Sequence, residues 1–133
     1  MDYLSFLSPY SDVMLSIFRI SLGIVFIVHG RSKIKDPAAF AKGIGAPVVN
    51  GYIAAICEFF GGLGLLLGFF TPIAALMAAA VMIGALHYHI NVWKHPFSNP
   101  GSHSYELPFI LLVACLLIAT IGGGSIALDY LLL

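Results

Sequence analysis

Charge is the scarcest thing in this sequence. Six basic and six acidic side chains stand among 133 residues, 9% of the chain, where soluble domains carry about 25%. The two signs cancel, which leaves no basic excess to attract nucleic acid. Cysteine is almost as scarce: Cys57 and Cys115 lie in separate apolar stretches and form no CxxC pair. They read as small hydrophobes rather than a redox dithiol. A disulfide between them would need two neighbouring helices at matching depth. No metal-ligand cluster is expected. No basic segment precedes the first apolar stretch and no small-residue cleavage site follows it, so that stretch reads as a retained helix.

What remains is overwhelmingly apolar, 60% hydrophobic with a mean hydropathy of +1.01. The composition is that of an integral membrane protein, and the length suits a single domain over residues 1–133. Polar breaks divide the chain into four apolar spans, at about 13–30, 52–70, 72–92 and 105–121. The expectation is an all-α integral membrane four-helix bundle with up-down topology. Residues 1–12 read as a polar tail, with Asp12 as an N-cap. Asp36-Pro37 is an N-cap and first-turn pair, so Asp36 to Ile44 predicts a short interfacial helix ended by Gly45 and Pro47. Asn50-Gly51 marks a break before span two, and Thr71-Pro72 a tight one after it.

Loops one and three hold Arg31, Lys33, Lys35, Lys42 and Lys94, whereas the two tails and the Thr71-Pro72 turn hold no Lys or Arg. The positive-inside rule puts those loops in the cytoplasm and both termini outside, in a prokaryotic inner membrane.

One carboxylate, Glu58, lies inside the apolar stretch Cys57 to Phe70. A charge there costs at least about 2.5–3.5 kcal/mol on insertion scales, so it must be paired, neutralised or turned to a cavity. Gly64 and Gly68 follow at small-xxx-small spacing and predict close helix contact. Span one carries Arg19, about 15 Å along the axis from His29 at its end. By connectivity His29, Glu58, His87, His89 and Glu106 gather in the half nearest loops one and three, with Arg19 deeper and reaching toward Glu58. His87 and His89 stand two apart and point to opposite sides of a helix, so one at most faces this pocket. His87 has Asn91 four residues on, and His89 has Trp93 at the same spacing for stacking.

The blocks LGIVFIVHGRSK, ICEFFGGLGLLLGFFTPIAAL, HYHINVWK and YELPFILLVACLLIATIGGGSIALD together resemble the DoxX family of small four-helix membrane proteins, from Arg19 to Asp129. The resemblance implies roles for Arg19, Gly30, Lys33, Glu58, Gly62, Gly68 and Asp129. Ser125 and Asp129 stand one residue further apart than in the family's commonest form. The family takes its name from a subunit of a thiosulfate:quinone oxidoreductase, which implies a quinone-interacting oxidoreductase subunit working with a partner redox protein. On that expectation Glu58, Arg19 and His87 handle protons and charge, while His29, Lys33, His89 and Glu106 line the quinone site. No intrinsic cofactor is evident. The alternatives are a non-enzymatic scaffold, a proton or small-solute pathway, and a bis-histidine haem through His29 with His87 or His89; a homo-oligomer within the bilayer is also open.

Overall fold

The computed structural model describes residues 5–132, so the first four residues of the expected tail lie outside it. The described residues are helical, with no strand. An exposed 3-10 turn, Ser5–Tyr10, leads into α1, Ser11–Lys35. Then come α2 (Pro37–Ile44), α3 (Val48–Leu67), α4 (Thr71–His87), α5 (Glu106–Ile121) and the short α6 (Leu128–Leu132). Ser5–Lys35, Val48–Leu67 and Thr71–Val92 are long and apolar enough to cross a membrane. The fourth expected span, α5, has 16 residues, about 24 Å at 1.5 Å per residue, against a hydrocarbon core of about 30 Å.

Local chemistry accounts for most boundaries. The Asp36 carboxylate accepts from the Ala39 N–H at 2.9 Å and starts α2, and Gly45, at φ 72°, stops it. Span two ends earlier than expected. Gly68 takes the left-handed conformation, φ 68°, and its N–H returns to the Gly64 carbonyl. The helix closes there rather than at the following Thr71-Pro72. Phe70 then adopts φ 45°, a strained value for a side chain with a Cβ. Asp12 is not the cap of α1, which begins after Tyr10 with no side-chain cap. Its carboxylate instead accepts from the Ser125 N–H at 3.0 Å and from the Ser125 hydroxyl.

Small residues set the helix pairing. A Cβ on Gly23 would stand 2.6 Å from the Leu66 nitrogen, and one on Gly62 would stand 2.9 Å from the Ile27 nitrogen. Further along α1, a Cβ on Gly30 would meet the Phe59 nitrogen at 2.9 Å. Positions advancing along α1 meet positions receding along α3, so the two helices run antiparallel at close backbone distance. Gly64 faces α4 as expected, where its Cβ would come within 2.6 Å of the Ala74 Cβ. Gly68 faces the C-terminal segment at Ala127 and the Arg19 guanidinium rather than a long helix. The alanine stripe of α4 (Ala74, Ala75, Ala78, Ala79) is buried with Leu22, Phe26, Leu65, Met82, Cys115 and Ile118 to form the core.

Candidate functional site

Two helical stripes face each other across a cleft of about 330 Å³. Asn50, Ile53, Ala54 and Cys57 of α3 recur at the i, i+3, i+4, i+7 spacing of one helix face. Val81, Gly84 and Ala85 of α4 and Tyr88 just beyond it do the same. The space exists because the facing residues are small. A Cβ added to Gly84 would meet nothing within 4 Å. Phe40 and Ile44 of α2 cover one side, and α2 is seated there by Gly51, whose missing Cβ leaves room for the Pro37 carbonyl. The short helix expected in loop one is therefore a wall of the cleft.

Lys33 closes the α1 side. It lies one turn beyond Gly30, on the face that Gly30 brings against α3, and its ammonium pairs with the Glu58 carboxylate. Glu58 is 2% exposed and the Lys33 side chain 19%, so the acid is inside and the base sits between it and the cleft. The ammonium also lies 4.9 Å from the Phe40 ring centroid, a cation–π distance. With three N–H donors, Lys33 keeps hydrogen-bonding capacity beyond Glu58.

The far wall is built by a change of helix type. Tyr88–Val92 continues α4 as a π-helix, and the Trp93 N–H reaches the Tyr88 carbonyl at 2.8 Å, an i to i+5 bond. His89 and Trp93 both line the cleft, with their rings 5.0 Å apart. Such π-turns are frequent at functional sites. His87 is exposed and bonded to Asn91, Nδ1 to Nδ2 at 3.2 Å. Its placement corrects the expectation that His87 joins Glu58: the histidine on the cleft is His89. His29 and Glu106 are exposed and line no part of the cleft.

Arg19 also lies elsewhere. The antiparallel register that sets Gly23 against Leu66 carries Arg19 to the last turn of α3, where its guanidinium meets Leu65, seven residues and about 10 Å beyond Glu58. There it is 1% exposed. Its Nε donates to the Gly123 carbonyl at 2.9 Å, and a terminal nitrogen donates to the Leu65 and Leu66 carbonyls at 2.6 and 3.0 Å. Those two carbonyls belong to the last turn of α3, which has no helical partners for them. Beside it, Asp129 accepts from the Phe70 and Thr71 N–H groups at 2.6 and 2.7 Å. Partial burial acts to raise the Asp129 carboxyl, but these backbone bonds and the Arg19 charge outweigh it and hold it below the usual carboxylate value. The Asp129 carboxylate thus caps α4 from a distance and fixes the strained Phe70 turn.

Of the residues expected at the site, the structure places Lys33 and His89 on the cleft, with Glu58 behind Lys33; the cleft also takes in Asn50, Cys57, Gly84 and α2, which the sequence did not mark. The 50-53-54-57 spacing was the available signal for the α3 wall. Both thiols are free. No group of three or more His, Cys, Asp or Glu suited to a metal ion occurs among the described residues.

The DoxX family model matches residues 14–92, a segment holding Lys33, Glu58, the α3 and α4 stripes and His89. The chain is 32% identical over 117 residues to the "Putative oxidoreductase CatD" of Bacillus subtilis, covering 85% of this chain and 82% of that protein. It is 30% identical over 125 residues to the "Inner membrane protein YqjF" of Escherichia coli, covering 91% and 93%. An uncharacterized protein of Haemophilus influenzae is 29% identical over 127 residues, covering 92% and 93%. No solved structure matches the chain.

Proposed function

The chain belongs to the DoxX family, and on that premise we propose that it is the quinone-interacting membrane subunit of an oxidoreductase. The observation that carries the reading is the apolar cleft with the Lys33–Glu58 pair in one wall and His89 in the other. Small-molecule sites are typically concave and apolar with a few placed polar groups, at volumes of about 300–1,000 Å³. A ring with two carbonyls suits this one: Lys33 can donate to one oxygen while His89 meets the other. Glu58 holds the ammonium in place and balances its charge, and the apolar walls exclude water. A quinone, when bound, supplies two-electron, two-proton chemistry. The single thiols in α3 and α5 form no dithiol, so the electrons come from a partner redox protein. The relative named an oxidoreductase supports this reading.

In the same proposal α5 is the fourth span, with the bilayer thinned locally around its shorter length, in an up-down four-helix bundle. Loops one and three, with the cleft between them, lie on the cytoplasmic side, and both termini lie outside.

The protein has one tryptophan, and it lines the cleft, so Trp93 fluorescence reports occupancy. Duroquinone is a suitable probe because its fully substituted ring cannot add the Cys57 thiol. Saturable quenching is expected in the parent. Gly84→Leu fills open space and improves helix propensity by up to about 1 kcal/mol, so it should melt no lower than the parent yet lose saturable quenching. Quenching that rises linearly in both proteins would mean collision from the lipid phase and no site.

A further inference from the structure

His89 does not stand alone at the cleft wall. After the π-turn the chain folds back, and the His95 N–H donates to the His89 carbonyl at 2.9 Å. This brings the two Nδ1 atoms within 3.0 Å of each other. The His95 ring in turn stacks on His103, with centroids 5.4 Å apart and planes 15° apart. His89 lines the cleft, His95 is half-buried and His103 is exposed. Three imidazoles thus run from the cleft to the loop surface.

Two ring nitrogens 3.0 Å apart form a hydrogen bond only if one carries the proton and the other is bare. In a neutral imidazole the proton on one nitrogen leaves the other as an acceptor. The two rings are therefore coupled. When His89 Nδ1 carries the shared proton, His89 Nε2 is a bare acceptor. When His95 Nδ1 carries it, His89 Nδ1 accepts and His89 Nε2 becomes a donor.

We propose that His89 is the proton-exchanging group of the cleft and that His95 is its tautomer partner, from which the proton leaves to water. The inference rests on the quinone reading and extends it to the route of the proton. A ring hydroxyl in the cleft gives its proton to His89 Nε2, breaking the O–H bond and forming an N–H bond. The His89 Nδ1 proton passes to His95 Nδ1, and the His95 Nε2 proton leaves to water at the loop. One proton has moved from cleft to loop and neither ring keeps a charge. The end state has His89 Nε2–H, which donates to a carbonyl. One side chain therefore serves the hydroquinone as acceptor and the quinone as donor. The electrons travel separately, to or from the partner redox protein.

The other titratable groups around His89 are Lys33, Cys57 and Tyr88 of the cleft wall. Of the whole set, histidine alone has an ordinary pKa between pH 5 and 8. His87, turned outward onto Asn91, takes no part.

The test is the affinity of the full-length protein for duroquinone and for durohydroquinone from pH 5.5 to 8, read from saturation of Trp93 quenching. A durohydroquinone hydroxyl that donates to the bare His89 nitrogen loses that bond when the ring is protonated, so its affinity should fall severalfold below the histidine titration. Duroquinone affinity should stay level or rise. His89→Phe should abolish the pH dependence of durohydroquinone. His95→Phe should move its midpoint and change the affinity ratio of the two probes severalfold. A His95 that only packs the loop would weaken both probes by one factor at every pH, and that result overturns the proposal. Absence of saturable duroquinone quenching in the parent would instead remove the cleft reading on which it stands. Saturable quenching with the same pH profile for both probes would leave the cleft and remove the relay.

Discussion

The two ends of the molecule use their ionic groups in different ways. At the end holding the start of α1 and the short α6, Arg19, Asp129 and Asp12 make their hydrogen bonds to backbone and to Ser125. Arg19 satisfies the last carbonyls of α3, and Asp129 satisfies the first N–H groups of α4. None of the three lines the cleft. At the other end Lys33 and Glu58 pair side chain to side chain, and Lys33 borders an open cleft with His89 opposite. Buried charge marks both regions in the sequence, but only where donors remain free beside a cavity does it have the makings of chemistry.

The contrast predicts a graded series of stability losses, with the greatest at the closed end. Arg19→Leu strands two buried carbonyls, of Gly123 and Leu65, and the part-buried Leu66 carbonyl; each buried one costs about 1–3 kcal/mol when unpaired. A loss of roughly 3 kcal/mol or more in detergent unfolding is expected. A variant melting like its parent would mean that water already serves those carbonyls. Gly64→Leu comes next, since its side chain must enter the space of Ala74. Overpacking of this kind costs about 1–3 kcal/mol, measurable in the same assay. If it has no effect, α3 and α4 are not packed as closely as described.

Asp129→Asn is smaller, on the order of 1 kcal/mol for a lost helix cap, and it carries a pH signature. The folded carboxyl is held below its usual value, so its contribution is complete above the unfolded pKa and disappears as pH falls through the lowered folded one. The gap between parent and variant should therefore narrow in acid. A gap that widens there would show that the carboxylate is not bonded as described.

Much of this was legible in the residues. Asp36-Pro37 and Gly45 bound α2 because caps are local chemistry, and Glu58 was conspicuous because one charge in an apolar run has few places to go. Its partner was not legible. Arg19 and Lys33 both lie on α1, and the choice between them depends on how Gly23 and Gly30 settle against Leu66 and Phe59 of α3, a register no single helix encodes. His89 stands four residues after Ala85, so α-helical spacing already put it on the cleft stripe, whereas the expectation for His87 followed its pairing with Asn91, which the structure turns outward. Asp129 and Asp12 act across more than fifty residues of sequence, on groups that only the folded chain brings near.

The difference between a structural and a chemical ion pair is tested most directly by removing Lys33 and Glu58 together. Taking out one partner would leave a buried charge and confuse stability with function. Replacing both leaves no charge behind, and such exchanges are often nearly neutral in stability. For Lys33→Met with Glu58→Gln, the account predicts a melting temperature close to the parent's and loss of saturable Trp93 quenching by duroquinone. A double variant that unfolds readily, or one that stays folded and binds duroquinone like the parent, would contradict it.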